Sequence, residues 1–135
     1  MDIDEIMKEI DKLSKPQLEK LIANLDHISF RFTINMSFLK YGAHPITIPK
    51  EVYHFLRIHK ILPNQDMRIT FPDDFTATGY IYYGRAGWGE FYQIKVKQSL
   101  SIRGKGVSQF NKGDRIKVEI LKSGDRKEIQ LSTIK

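Results

Sequence analysis

The chain contains no cysteine, which excludes disulfides and thiolate metal centres together. That absence suits a reducing compartment, and a cytoplasmic protein is the expectation. No apolar run approaches the roughly 20 residues that a bilayer-spanning helix needs. The acidic first residues are also unlike a secretory signal. A phosphate-cradling loop is missing: Gly104-Lys105-Gly106 lacks both the glycine spacing and the Lys-Ser/Thr ending. Histidine is sparse. His27, His44, His54 and His59 are scattered, with no His-x-x-x-His pair and no acidic partner at ligand spacing, so neither a metal site nor a cofactor is expected. His54 and His59 read as helix-surface residues. There is no serine- or cysteine-nucleophile signature, no repeat of solenoid period and no low-complexity tract.

What is present is a 135-residue chain, 41% hydrophobic, enough for one well-formed core. Its net charge of +6 is unevenly spread. Residues 1–28 hold seven acids against four lysines, a net of −3, and the rest of the chain carries +9. An acidic head therefore precedes a basic body, and a basic body attracts polyanions by neutralising phosphates and releasing counterions.

Patterning divides the chain in the same place. Over residues 1–27, Asp2/Glu5 and Ser14/Gln17 have capping-box spacing. Apolar stripes (Ile3, Ile6, Met7, Ile10, Leu13, then Leu18, Leu21, Ile22, Leu25) predict a helical hairpin that either packs on the body or pairs with a copy of itself. Residues 28–135 form the body. Ile28, Phe30, Phe32, Ile34 and Met36 alternate with polar residues as one long half-buried strand. A polar arm, Asn35 to His44, follows. Ile46-Thr47-Ile48-Pro49-Lys50 reads as a strand running into a helix from Glu51 to about Ile58, with Val52, Phe55 and Leu56 inward. Further strands are expected at Met67–Phe71, Gly79–Tyr83, Phe91–Lys97, Asp114–Leu121 and Glu128–Thr133. Gly84-Arg85-Ala86-Gly87-Trp88-Gly89 is expected as a projecting loop, and 103–106 as a flexible basic turn. The fold class is mainly β with flanking helices: a seven-stranded open or pseudo β-barrel with a short central helix, preceded by the helical hairpin.

Three chemistries compete for this body. Basic loops with interleaved aromatics suit nucleic acid: arginine reads guanine through two donors, glutamate accepts from cytosine, and Trp or Tyr stacks on bases. Trp88 fits that role and fits equally the closing of a barrel end. The second chemistry is a Mg²⁺-dependent nuclease using Asp73, Asp74 and Lys95, in which Gln93-Ile94-Lys95 carries glutamine in the acidic position. The third is an antitoxin-like swapped-hairpin dimer or protein-interaction module built through the acidic helices.

The order of the motifs carries a resemblance. Ile46-Thr47-Ile48-Pro49-Lys50, then Gly106-Val107-Ser108-Gln109-Phe110 leading into Gly113-Asp114-Arg115-Ile116, resembles the plant-type B-three DNA-binding pseudobarrel family and the related effector domains of bacterial restriction endonucleases. The likeness covers residues 28–135. It implies double-stranded DNA gripped in the major groove between two arms and no catalysis. Such a protein would be a recognition domain of a restriction-modification or transcription-regulation system, free-standing or with a catalytic partner, since no sequence follows Lys135. A homodimer through residues 1–27 is the other partner expected. The DNA-binding residues so implied are Asn35, Ser37, Lys40, Tyr41 and His44 in the first arm, and Tyr83, Arg85, Trp88, Glu90 and Tyr92 in the second. Lys50, Lys95 and Lys97 would hold phosphates.

Overall fold

The computed structural model of the chain describes residues 2–10, 12–97 and 109–134. The expected basic turn at 103–106 and the first residues of the closing motif, 106–108, lie outside them, as do the side chains of Ile3, Met7 and Ile10.

The acidic head is a helical hairpin of α1 (Ile3–Ile10) and α2 (Lys15–Ala23). Ser14 caps α2: its side chain accepts from the Gln17 N–H, and the Gln17 side chain answers on the Ser14 N–H, with Pro16 in the first turn. The hairpin packs on its own body. Ile6 and Ile22 belong to the same buried cluster as the strands, and Asp2 bridges to Ser29, whose hydroxyl donates to the Asp2 carboxylate at 3.4 Å. His59, expected on a helix surface, is a clasp instead. Its Nε2 lies 2.9 Å from the Ile22 carbonyl, and its ring packs on Phe55.

The body is one seven-stranded sheet. Its strands are β1 (His27–Thr33), β2 (Ile46–Thr47), β3 (Met67–Thr70), β4 (Thr76–Ala86), β5 (Gly89–Val96), β6 (Arg115–Ser123) and β7 (Arg126–Thr133). They run in the order β1-β6-β7-β3-β4-β5-β2, so β1 and β2 are the edges and the sheet does not close. All neighbours are antiparallel except β3 and β7, which pair in parallel. Alternation decides which face is inside. Ile28, Phe30 and Phe32, then Ile81, Ile94 and Val96, then Ile116, Val118 and Ile120 are all buried as their spacing predicts. The helix α4 (Tyr53–Ile58) follows a 3₁₀ turn at Lys50–Val52; the turn buries Val52, and the helix buries Tyr53, Phe55 and Leu56. Pro49, at φ −62°, is preset for that entry. No helix among the described residues is long and apolar enough to cross a membrane.

Several boundaries shift by a few residues, as at β4, which begins at Thr76 rather than Gly79, and two differences bear on the arms. The strand read through Met36 stops at Thr33, because the Asn35 side chain accepts the Phe38 N–H at 2.8 Å and opens a short helix, α3 (Met36–Lys40). Met36 is therefore exposed rather than inward, and the arm at 35–44 is part helix. The glycine-rich stretch at 84–89 is not a projecting loop either. β4 and β5 pair all the way to Ala86 and Gly89, leaving a two-residue turn of Gly87 and Trp88. Gly89 sits at φ 132°, a backbone region that side chains rarely tolerate, and this allows so tight a turn.

Candidate nucleic-acid interface

Strand β5 positions both arms. At its far end, the Val96 N–H donates to the Ala43 carbonyl at 2.7 Å, which draws the first arm alongside the sheet. At its near end stands the Gly87-Trp88 turn. Gly89 to Val96 spans about 24 Å at roughly 3.4 Å per residue.

The first arm is braced from within. Phe38, 1% exposed, packs against Phe32 and Phe110 at 5.9 and 5.8 Å. His44, at φ 45°, places Nδ1 2.7 Å from the Phe38 carbonyl and packs its ring on Phe38. Asn35 and His44, both expected as DNA contacts, therefore also perform structural tasks, capping and clasping. Ser37 is half-buried in α3. Lys40 and Tyr41 are the arm's presented side chains, Tyr41 being 64% exposed.

The second arm is divided between two faces. Residues directly opposite in an antiparallel pair share a face. Tyr83 opposes Tyr92, and Arg85 opposes Glu90, on the side that carries the core further along. Gly84 opposes Phe91, Tyr82 opposes Gln93, and Tyr80 opposes Lys95, on the outward side. Trp88 joins the outward set by packing on Phe91. It is 70% exposed, so the barrel-end role considered for it is excluded.

On the inward-parity face, Tyr92 packs on Tyr53 at 4.6 Å and donates its N–H to the Tyr53 hydroxyl, tying β5 to α4. Tyr83 packs on Tyr92. Beyond them, Arg85 donates through Nε to the Tyr83 hydroxyl and through a terminal nitrogen to Glu90, both at 3.3 Å. Arg57 of α4 approaches the other Glu90 oxygen at 3.6 Å. The Tyr83 hydroxyl and then Arg85 hold the Glu90 carboxyl below its ordinary value, with Arg57 adding at longer range. The same contacts, Tyr83 first, raise Arg85. Because Glu90 is depressed, its charge and its hold on Arg85 persist above the ordinary carboxylate value and fail only as pH falls through the lowered one. Nothing in the residue types alone brings Arg57 here.

This geometry makes Glu90 a clasp on Arg85. On a DNA-binding reading of this surface, Glu90→Gln is expected to free Arg85, tighten duplex binding and steepen its salt dependence by about one counterion. A salt titration of both proteins checks this. A loss confined to one preferred sequence would instead make Glu90 a base acceptor.

The phosphate-holding lysines are placed unequally. Lys50 is exposed at the 3₁₀ turn. Lys95 lies on the outward face, its Nζ 3.7 Å from the centre of the Tyr82 ring. Lys97 is ion-paired with Asp66 at 3.0 Å and is not freely presented. The residues of the nuclease alternative are not brought together. Asp73 and Asp74 occupy the turn before Thr76, where Asp73 accepts the Phe75 N–H. Lys95 lies opposite Tyr80, four residues further along β4, or about 14 Å. Among the described residues no cluster of three His, Asp or Glu has metal-holding geometry.

No protein-family model matches the chain, and no curated protein matches it.

Proposed function

We propose that this chain is a non-catalytic, sequence-specific double-stranded DNA-binding domain of the pseudobarrel kind, acting in a restriction or transcription-regulation system in the cytoplasm. The observation that carries this reading is the placement of two arms at opposite ends of β5. Lys40 and Tyr41 are presented at one end and Arg85 and Trp88 at the other, while Lys95, next to Val96, stands at the first arm's end on the sheet face that also carries Trp88. The charge division supports it as well, since the −3 head is packed on a body of net +9. Burial supports a pseudobarrel reading of the open sheet. All seven strands contribute buried residues to one common core, as a sheet curled around that core would.

Two substitutions separate the roles. Arg85→Ala is expected to weaken binding by about 1–3 kcal/mol and relax preference at one base pair. Lys95→Ala is expected to weaken all sequences alike and flatten the salt dependence. Selection from a randomised duplex library, at two salt concentrations with Mg²⁺ present, tests the whole reading. Enrichment of one short motif on intact duplex supports it. Salt-sensitive binding without a motif reduces the protein to a general polyanion binder. Cleavage of the library would replace recognition with nuclease activity.

A further inference from the structure

The outward face of the β4–β5 hairpin carries an aromatic ladder that a groove-reading arm does not need. From Lys95, whose ammonium sits over Tyr82, the ladder steps to Phe91 at 5.9 Å from Tyr82 and on to Trp88 at 5.4 Å from Phe91. Gly84 makes room for it. A Cβ there would stand 2.8 Å from Phe91 Cε1 and 2.9 Å from Tyr82 Cε1, although Gly84 itself has no positive φ. The glycine therefore serves space rather than backbone freedom, and Phe91 lies across the bare position. Covering a strand glycine with an aromatic ring is a known stabilising device. It accounts for Phe91 but not for the indole beyond it. Trp88 leaves 70% of its surface in water at the very tip, backed on one side by Phe91.

We propose that this ladder is a stacking site for a nucleobase outside a duplex stack, so that the preferred ligand is duplex DNA carrying an unpaired base. The inference rests on the DNA-binding reading above and narrows its ligand. An aromatic face stacks on any base, because every base has a π-face. The ammonium of Lys95 at the foot of the ladder favours an anionic ligand and opposes a cationic one. Within an intact duplex, however, both faces of each base are covered by neighbours, and extruding one has its own unstacking cost. A base already unpaired, at a bulge or mismatch, avoids that cost and presents a free face to Trp88.

Trp88 is the only tryptophan, so its fluorescence reports this site directly. The test titrates the full chain with an intact duplex, the same duplex bearing one unpaired adenine, and the single strand. The expected result is about 10-fold tighter binding of the bulged duplex, with quenching of Trp88. Trp88→Ala should remove that preference, and Trp88→Phe, followed by labelled DNA, should keep most of it. Equal affinity of the native protein for intact and bulged duplex overturns the inference and leaves duplex recognition standing. So does a preference that survives Trp88→Ala. Binding to none of the three DNAs overturns both.

Discussion

Phe38→Ala should lower the free energy of unfolding by about 3–5 kcal/mol, the range for deleting a buried aromatic ring. Its consequence for the first arm is larger than the number suggests. α3 is five residues long, far too short to be stable by its own hydrogen bonds. Phe38 is its one buried residue, and the ring also supports His44 and meets Phe32 and Phe110. Without it, the Asn35 cap and the His44 clasp would have to hold a helix that no longer touches the core. Chemical denaturation measures the first effect, and amide exchange over residues 35–44 measures the second. Protection that persists at Phe38 and Tyr41 in the variant would show that the cap, not the ring, anchors the arm.

Gly79→Ala is the second large effect, expected at about 3 kcal/mol, the upper end for overpacking a filled site. A Cβ at Gly79 would meet the Ile69 side chain and would stand 2.6 Å from the carbonyl oxygen of Lys95. Ile69 can turn away, but a backbone carbonyl in a paired strand cannot move without distorting β4–β5. Gly84→Ala makes an instructive contrast. Its nearest obstacles are the ends of the Phe91 and Tyr82 rings, which can swing aside. Thermal unfolding of both variants should therefore show the Gly79 change as clearly the more damaging. Equal losses would mean that the Phe91 ladder is as rigid as the backbone.

Alternation made most of the sheet readable in advance. Wherever one face is buried, a period of two names it, as at Phe30, Ile94 and Val118. The end of β1 was less accessible, because Met36 continues the alternation and only the capping geometry of Asn35 ends it. The second arm is hard to read from sequence for a related reason. Three glycines in six residues suggest a loop, and a loop has no faces. Once β4 and β5 pair to Ala86 and Gly89, the same rule of alternation sends Arg85 to one side and Phe91 to the other. Tyr82 and Phe91 could have been found by extending the strand period through Gly84. The pairing of Arg57 with Glu90 and of Asp66 with Lys97 could not, since neither leaves a local trace. Ser29 is similar: its position in the strand points outward, yet it is 2% exposed because its hydroxyl meets Asp2 from the distant head.

The parallel pairing of β3 with β7 bears on how the protein is made. Arg68 and Glu128, which face each other in that ladder, are 60 residues apart in the chain. Yet β7 lies inside the sheet, between β6 and β3. Until it emerges from the ribosome, the β3-β4-β5-β2 group has one side unsatisfied and β1 and β6 have nothing to join. Assembly must wait for a contact of high sequence separation, which places folding on the order of milliseconds to seconds rather than microseconds. During that interval the nascent chain displays bare strand edges, the state most exposed to aggregation and to chaperone capture.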